Sequence, residues 1–107
     1  MAVFVSERVL HVAEYHASYF VYILQSESTA KTYVGQTNEL ERRVAQHNDA
    51  DFRLTLYTKR NKGPWRLVHS EQYGTRKEAV RREKFLKSGQ GREWIRDHVL
   101  KQATDSC

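Results

Sequence analysis

The chain has 107 residues, 39% hydrophobic and 29% charged, with a formal net charge of +5. That balance fits one globular domain with a modest core. No apolar run approaches the roughly 20 residues of a membrane helix, and the single cysteine, Cys107, excludes an internal disulfide and a structural zinc site. The basic excess is compatible with nucleic acid as partner, and the cysteine usage points to the cytoplasm.

Residues 1–18 form an N-terminal extension. Val5, Val9, Leu10 and Val12 give a partial helical pattern that histidines and glutamates interrupt. No basic stretch precedes an apolar block, so no signal peptide is expected. Residues 19–24 are apolar on both faces, as in a central strand. Ser26 to Ala30 reads as a turn, and residues 31–35 as a second strand that Gly35 ends. The short connection predicts an antiparallel hairpin.

Asn38 and Glu41 offer a capping-box pattern for a helix over about 39–47, which Asn48 and Asp49 break. Residues 49–64 read as a loop made basic by Arg53, Lys59, Arg60 and Lys62. Trp65 to Tyr73 is a third strand, with Leu67, Val68 and Tyr73 as packing candidates. Thr75 and Glu78 form a second capping box for a helix to about Lys87, which Gly89 and Gly91 stop. A last helix over about 92–101 places Trp94, Ile95, His98 and Val99 on one arc. Residues 102–107 form a C-terminal tail expected to fray. The main domain therefore spans 19–101, in the order strand-strand-helix-strand-helix-helix, an α+β arrangement.

Helical phase separates two adjacent arginines. Leu40 and Val44 mark the buried stripe of the first helix, and Arg43 and His47 border it, whereas Arg42 points to solvent. Arg43 could simply lay its stem along the core edge. On the second helix, Glu83 falls within the arc of Ala79, Val80 and Leu86. A buried carboxylate needs a compensating cation, either Arg43 or a metal. One oxygen ligand plus waters suits Mg²⁺. Tyr22 and Tyr33 are packing residues by default, each with a hydroxyl to satisfy. His11, His16, His69 and His98 show no metal-ligand spacing.

Taken together, these residues resemble the GIY-YIG nuclease family, in particular its small standalone, excision-nuclease-C-like members. Phe20-Val21-Tyr22 corresponds to the first motif, keeping the tyrosine but not the glycine or isoleucine. Tyr33-Val34-Gly35 corresponds to the second. Arg43, ten positions after Tyr33, matches the family arginine, Glu83 its metal-binding glutamate and His47 a histidine that many members carry. Gln36 stands where the excision-repair branch has a lysine. The late asparagine of many members has no counterpart over residues 90–103.

The resemblance implies a three-stranded antiparallel sheet flanked by helices. It implies a Mg²⁺- or Mn²⁺-dependent DNA endonuclease, acting on single-stranded or branched DNA in repair or recombination, as a monomer or weak homodimer. The alternative is an inactive nucleic-acid-binding module. The implied catalytic set is Tyr22, Tyr33, Arg43, His47 and Glu83, with the metal on Glu83. Tyr33 is the first candidate for the general base, and Tyr22 and His47 stay open for that role. Expected nucleic-acid contacts are Gln36, Arg43, Arg53, Lys59, Arg60 and Lys62. Phe52, Tyr57 and Trp65 could stack on unpaired bases, or Trp65 could belong to the core.

Overall fold

A computed structural model describes residues 18–49 and 62–101. Its strands are β1 (Tyr19–Ser26), β2 (Thr32–Thr37) and β3 (Trp65–Tyr73). Its helices are α1 (Leu40–His47), α2 (Arg76–Lys87) and α3 (Gly89–Ile95), the last continued by a π-helical turn over Arg96–Leu100. The three strands form one antiparallel sheet in the order β2-β1-β3. The α+β class and the central place of the first strand are as expected. Aromatic and β-branched residues fill β1, and a strand flanked on both sides must bury both faces.

Each face of the sheet has its own core. Val21, Ile23 and Val34 pack with Ala79 and Leu86 of α2 and with Ile95 and Val99 beyond it. Tyr22, Leu24 and Trp65 pack under Leu40 and Val44 of α1, with Tyr33 beside them. Alternation along β2 thus sends Tyr33 towards α1 and Val34 towards α2.

A bulge in β3 corrects the expectation for Leu67. Ile23 pairs with His69 and Leu24 with Leu67, which leaves Val68 as the extra residue. Side-chain parity reverses across a bulge. Trp65 therefore enters the α1-side core at 4% exposure, while Leu67 is 38% exposed. Val68 and Tyr73 pack against the α2 side as expected.

Three local readings are also corrected. Gly35 does not end the second strand; it pairs with Tyr22 inside the ladder, and β2 continues to Thr37. The Asn38 capping box does not form. Glu39 is the N-cap and its side chain makes no capping bond, while Thr37 Oγ1 accepts the Glu39 N–H at 3.1 Å. Thr75, by contrast, caps α2 as read, accepting the Glu78 N–H.

Gly89 and Gly91 lie within α3, not between helices. Ser88 ends α2 and caps α3, its Oγ accepting the Gly91 N–H at 3.1 Å. A Cβ on Gly91 would stand 2.0 Å from the Phe85 carbonyl oxygen and 2.4 Å from Leu86 Cα. This glycine therefore permits the close approach of α3 to α2.

Asn48 fastens α1 to the sheet. Its Nδ2 donates to the Trp65 carbonyl at 2.8 Å and its Oδ1 accepts the Trp65 N–H at 2.6 Å. The amide imitates a neighbouring strand and fixes the end of α1 beside the start of β3.

The two glycines of α3 give a paired test. No atom lies within 4 Å of a Cβ on Gly89. Gly91→Ala should destabilise the fold by about 3 kcal/mol or more, by overpacking against backbone. Gly89→Ala should change stability by less than about 1 kcal/mol, in the stabilising direction, through helix propensity. Urea unfolding of both variants checks the contrast, and similar midpoints would refute it.

Candidate active site

The site begins with a close approach between strands. Tyr22 is 1% exposed and its ring crosses Gly35 on β2. A Cβ at position 35 would meet the Tyr22 Oη at 2.6 Å and Cζ at 2.8 Å. Only glycine leaves room for the ring, which explains its place inside a ladder it would otherwise weaken.

Three rings meet at this point. The Tyr22 hydroxyl lies 2.9 Å from His47 Nε2. The Tyr33 ring is 4.8 Å from the His47 ring and 6.2 Å from that of Tyr22, centroid to centroid. His47 closes the last turn of α1 and is 6% exposed, more deeply buried than a residue bordering the stripe. Arg43 lies one turn earlier on α1 and is half-buried, and its charge acts on both tyrosines and on His47. Arg42 is solvent-facing as expected, paired with Glu39 at 3.0 Å.

Burial sets the protonation states. It drives the Tyr22 hydroxyl well above the ordinary phenol value. Tyr33 and Glu83 add to this and Arg43 opposes it. Burial also raises Tyr33, against the pull of Lys87 and Arg43. Burial, followed by the charge of Arg43, lowers His47 to about 4. At neutral pH both phenols therefore keep their protons and the imidazole is uncharged.

Glu83 lies on α2 with its side chain 19% exposed. Its partner is Lys87, one turn on, with Nζ 2.9 Å from Oε2. Arg43 is thus not the compensating cation. The i,i+4 spacing of Glu83 and Lys87 was legible as a helical pair. Lys87 and Tyr33 line the same groove, which joins this pair to the tyrosine cluster.

No group of three or more histidine, cysteine, aspartate or glutamate residues is placed to hold a metal among the described residues. One half-buried carboxylate fits a hard cation that keeps most of its waters, and does not fit zinc.

Gln36 points to the opposite face of β2 from Tyr33, and its Oε1 is buried without a hydrogen-bond partner among the described residues. Lys62 is exposed and its carbonyl accepts from Ser26 Oγ. Arg53, Lys59 and Arg60, with Phe52 and Tyr57, lie outside the described residues. Trp65 is in the core and offers no stacking surface.

A second polar cluster on the α2 face was not anticipated. Arg82 donates to both oxygens of Glu71, at 2.9 and 3.0 Å, and Tyr73 and His69 also bond this carboxylate. Burial pushes Glu71 up, but the bonds from Arg82, Tyr73 and His69 outweigh it and hold it at about 2. Arg82 also lies over the Trp94 ring at 4.7 Å.

The state of His47 carries a pH signature. Between its ordinary value and about 4, the unfolded chain binds a proton that the folded chain refuses. The stability held by neutral His47 is therefore complete above about pH 6.5 and is lost as pH falls towards about 4. Glu71, at about 2, stays ionised in that window. The melting temperature should drop between about pH 7 and about pH 4.5, and drop less in His47→Gln. Parallel curves for the two proteins would remove His47 as the cause.

Comparisons with known proteins show the family of the chain. The model of the GIY-YIG catalytic domain matches residues 18–94. A UPF0213 protein of Haloquadratum walsbyi is 40% identical over 75 residues, covering 70% of this chain and 76% of that protein. Another, of Natronomonas pharaonis, is 38% identical over 72 residues, covering 67% and 80%. The solution NMR structure of a UPF0213 protein of Bacillus halodurans is 32% identical, with a TM-score of 0.45, covering 75% of this chain and 83% of that one. No described helix is long and apolar enough to cross a membrane. With the domain match running from the residue before β1 to α3, this chain belongs to the GIY-YIG family.

Proposed function

We propose that the protein is a divalent-metal-dependent endonuclease that hydrolyses DNA phosphodiesters, with single-stranded or branched DNA as its substrate, in repair or recombination. The observation that carries this is the meeting of Tyr22, Tyr33 and His47 beside Arg43, with Glu83 linked to them through Lys87. The same polypeptide would act in the cytoplasm, as a monomer or weak homodimer. Gln36, Lys62 and the basic residues Arg53, Lys59 and Arg60 would contact the nucleic acid.

Glu83 would hold the metal, Mg²⁺ or Mn²⁺, which when bound supplies positive charge to the scissile phosphate and the leaving oxygen. Arg43 would hold a non-bridging phosphate oxygen and stabilise charge developing in the transition state. Tyr33 is poorly suited to act as a standing phenolate, because burial keeps its proton on. It is better suited to a relay. The two tyrosine rings lie 6.2 Å apart, centroid to centroid, and the hydroxyl of Tyr22 meets His47. A proton taken from the attacking water by Tyr33 has a route through Tyr22 to the imidazole. An anionic phosphate nearby would raise the proton affinity of His47 and favour that final acceptor.

The Lys87–Glu83 pair supports a second reading, a silent nucleic-acid-binding module in which lysine takes the place of the metal. Cleavage of labelled single-stranded, flap and duplex DNA in Mg²⁺ or Mn²⁺ decides between the two. Under the first reading Glu83→Gln abolishes cleavage with the fold intact. Arg43→Ala lowers it by about 10²-fold or more, and Arg42→Ala is near wild type. Tyr33→Phe, which cuts the relay while keeping the ring, loses most activity. Absence of cleavage of every substrate by the wild type, with binding retained, favours the silent module.

A second prediction concerns geometry. Gly35→Ala should fold but displace the Tyr22 hydroxyl, and lose activity nearly as completely as a variant lacking that hydroxyl. Wild-type activity in Gly35→Ala would mean that the Tyr22 position is not required.

A further inference from the structure

Beside the tyrosine cluster, the free edge of β2 and the α2–α3 joint enclose a groove of about 480 Å³. Thr32, Tyr33 and Val34 line it from the strand, and Leu86, Lys87, Arg92 and Ile95 from the helices. The chain passes from α2 to α3 at Ser88, and Gly91 lets α3 lie close against α2.

Its chemistry is one-sided. Both charged residues of the lining are cations and no carboxylate contributes to it. Lys87 is shared with Glu83, whereas Arg92 is exposed and makes no ion pair among the described residues. The volume falls in the range of small-molecule sites, about 300–1,000 Å³. Tyr33 belongs to both the groove and the ring cluster, so an occupant of one adjoins an occupant of the other.

The geometry points to this groove as the seat of one unpaired nucleotide, immediately next to the phosphate that is cut. The nucleobase lies against Tyr33 and the apolar residues of the lining, and its flanking phosphate is held by Arg92 and Lys87. A paired base stacked within a duplex cannot enter. The groove therefore selects DNA that presents an unstacked nucleotide at the cut. The lining is mostly apolar and charged, so it reads the presence of a base rather than its identity. This rests on the nuclease reading for the position of the cut, but the binding itself is measurable without cleavage.

The test is a fluorescently labelled single-stranded oligonucleotide carrying one abasic residue, walked position by position across the site of cleavage. Affinity is measured with Glu83→Gln protein, alone and combined with Arg92→Ala, at several salt concentrations. One position next to the cut should lose about tenfold in affinity when its base is removed, and the others less than about twofold. Arg92→Ala should weaken binding of the intact strand and reduce the salt slope by about 0.7, the value for one phosphate on a single strand. Melting temperatures of the variants verify that the fold is retained. A uniform abasic effect along the strand, or an unchanged salt slope in Arg92→Ala, overturns the proposal. Failure of the wild type to cut any strand refutes the nuclease reading instead. The affinity profile, with its single sensitive position or without one, still decides the groove.

Discussion

The arrangement depends on one contact, the passage of the Tyr22 ring across Gly35. Tyr22 sits on the central strand, where neither face meets water, so its hydroxyl must find a partner inside the protein. The missing side chain at position 35 lets the hydroxyl reach past β2 to His47. That reach fixes the end of α1 over the sheet and brings Arg43 with it. A polar tip on a buried ring thus orders a strand, a glycine and a helix at once.

The same burial that orders the site determines its acid–base character. Two phenols that hold their protons and an imidazole that refuses one form a neutral cluster. Among the described residues, charge reaches it from Arg43, Lys87 and Glu83. A neutral centre with charged edges suits the handling of an anion. In the proposed reaction the incoming phosphate would bring the field that shifts the groups at the centre, so they would not need to be ionised beforehand.

Much of this was legible in the residues, and the failures have identifiable causes. Helical periodicity separated Arg43 from Arg42 because a shift of one residue turns a side chain through about 100°. The run from Tyr19 to Leu24 announced a central strand because both of its faces are apolar. Gly35 was misread because its reason is a ring on another strand, and that needs the register. Leu67 was misplaced because the bulge at Val68 reverses parity, and nothing in the local pattern marks it. Gly89 and Gly91 looked like a helix stop. Local sequence shows only their flexibility, while the backbone that Gly91 must approach lies on the preceding helix. The i,i+4 partner of Glu83 was legible too, although the expected cation was Arg43 or a metal.

The amide of Asn48 has a consequence for how such a protein can diversify. By clasping Trp65 on both sides, it brings the chain leaving α1 and the chain entering β3 to a single point. Whatever sequence lies between these residues starts and finishes at a fixed clasp one residue from His47. With both ends held, lengthening the chain between them costs closure entropy that grows only logarithmically with length. The ring cluster and the two clasped ends are thus neighbours in space. An insertion there would meet the fold at one place, the amide of Asn48.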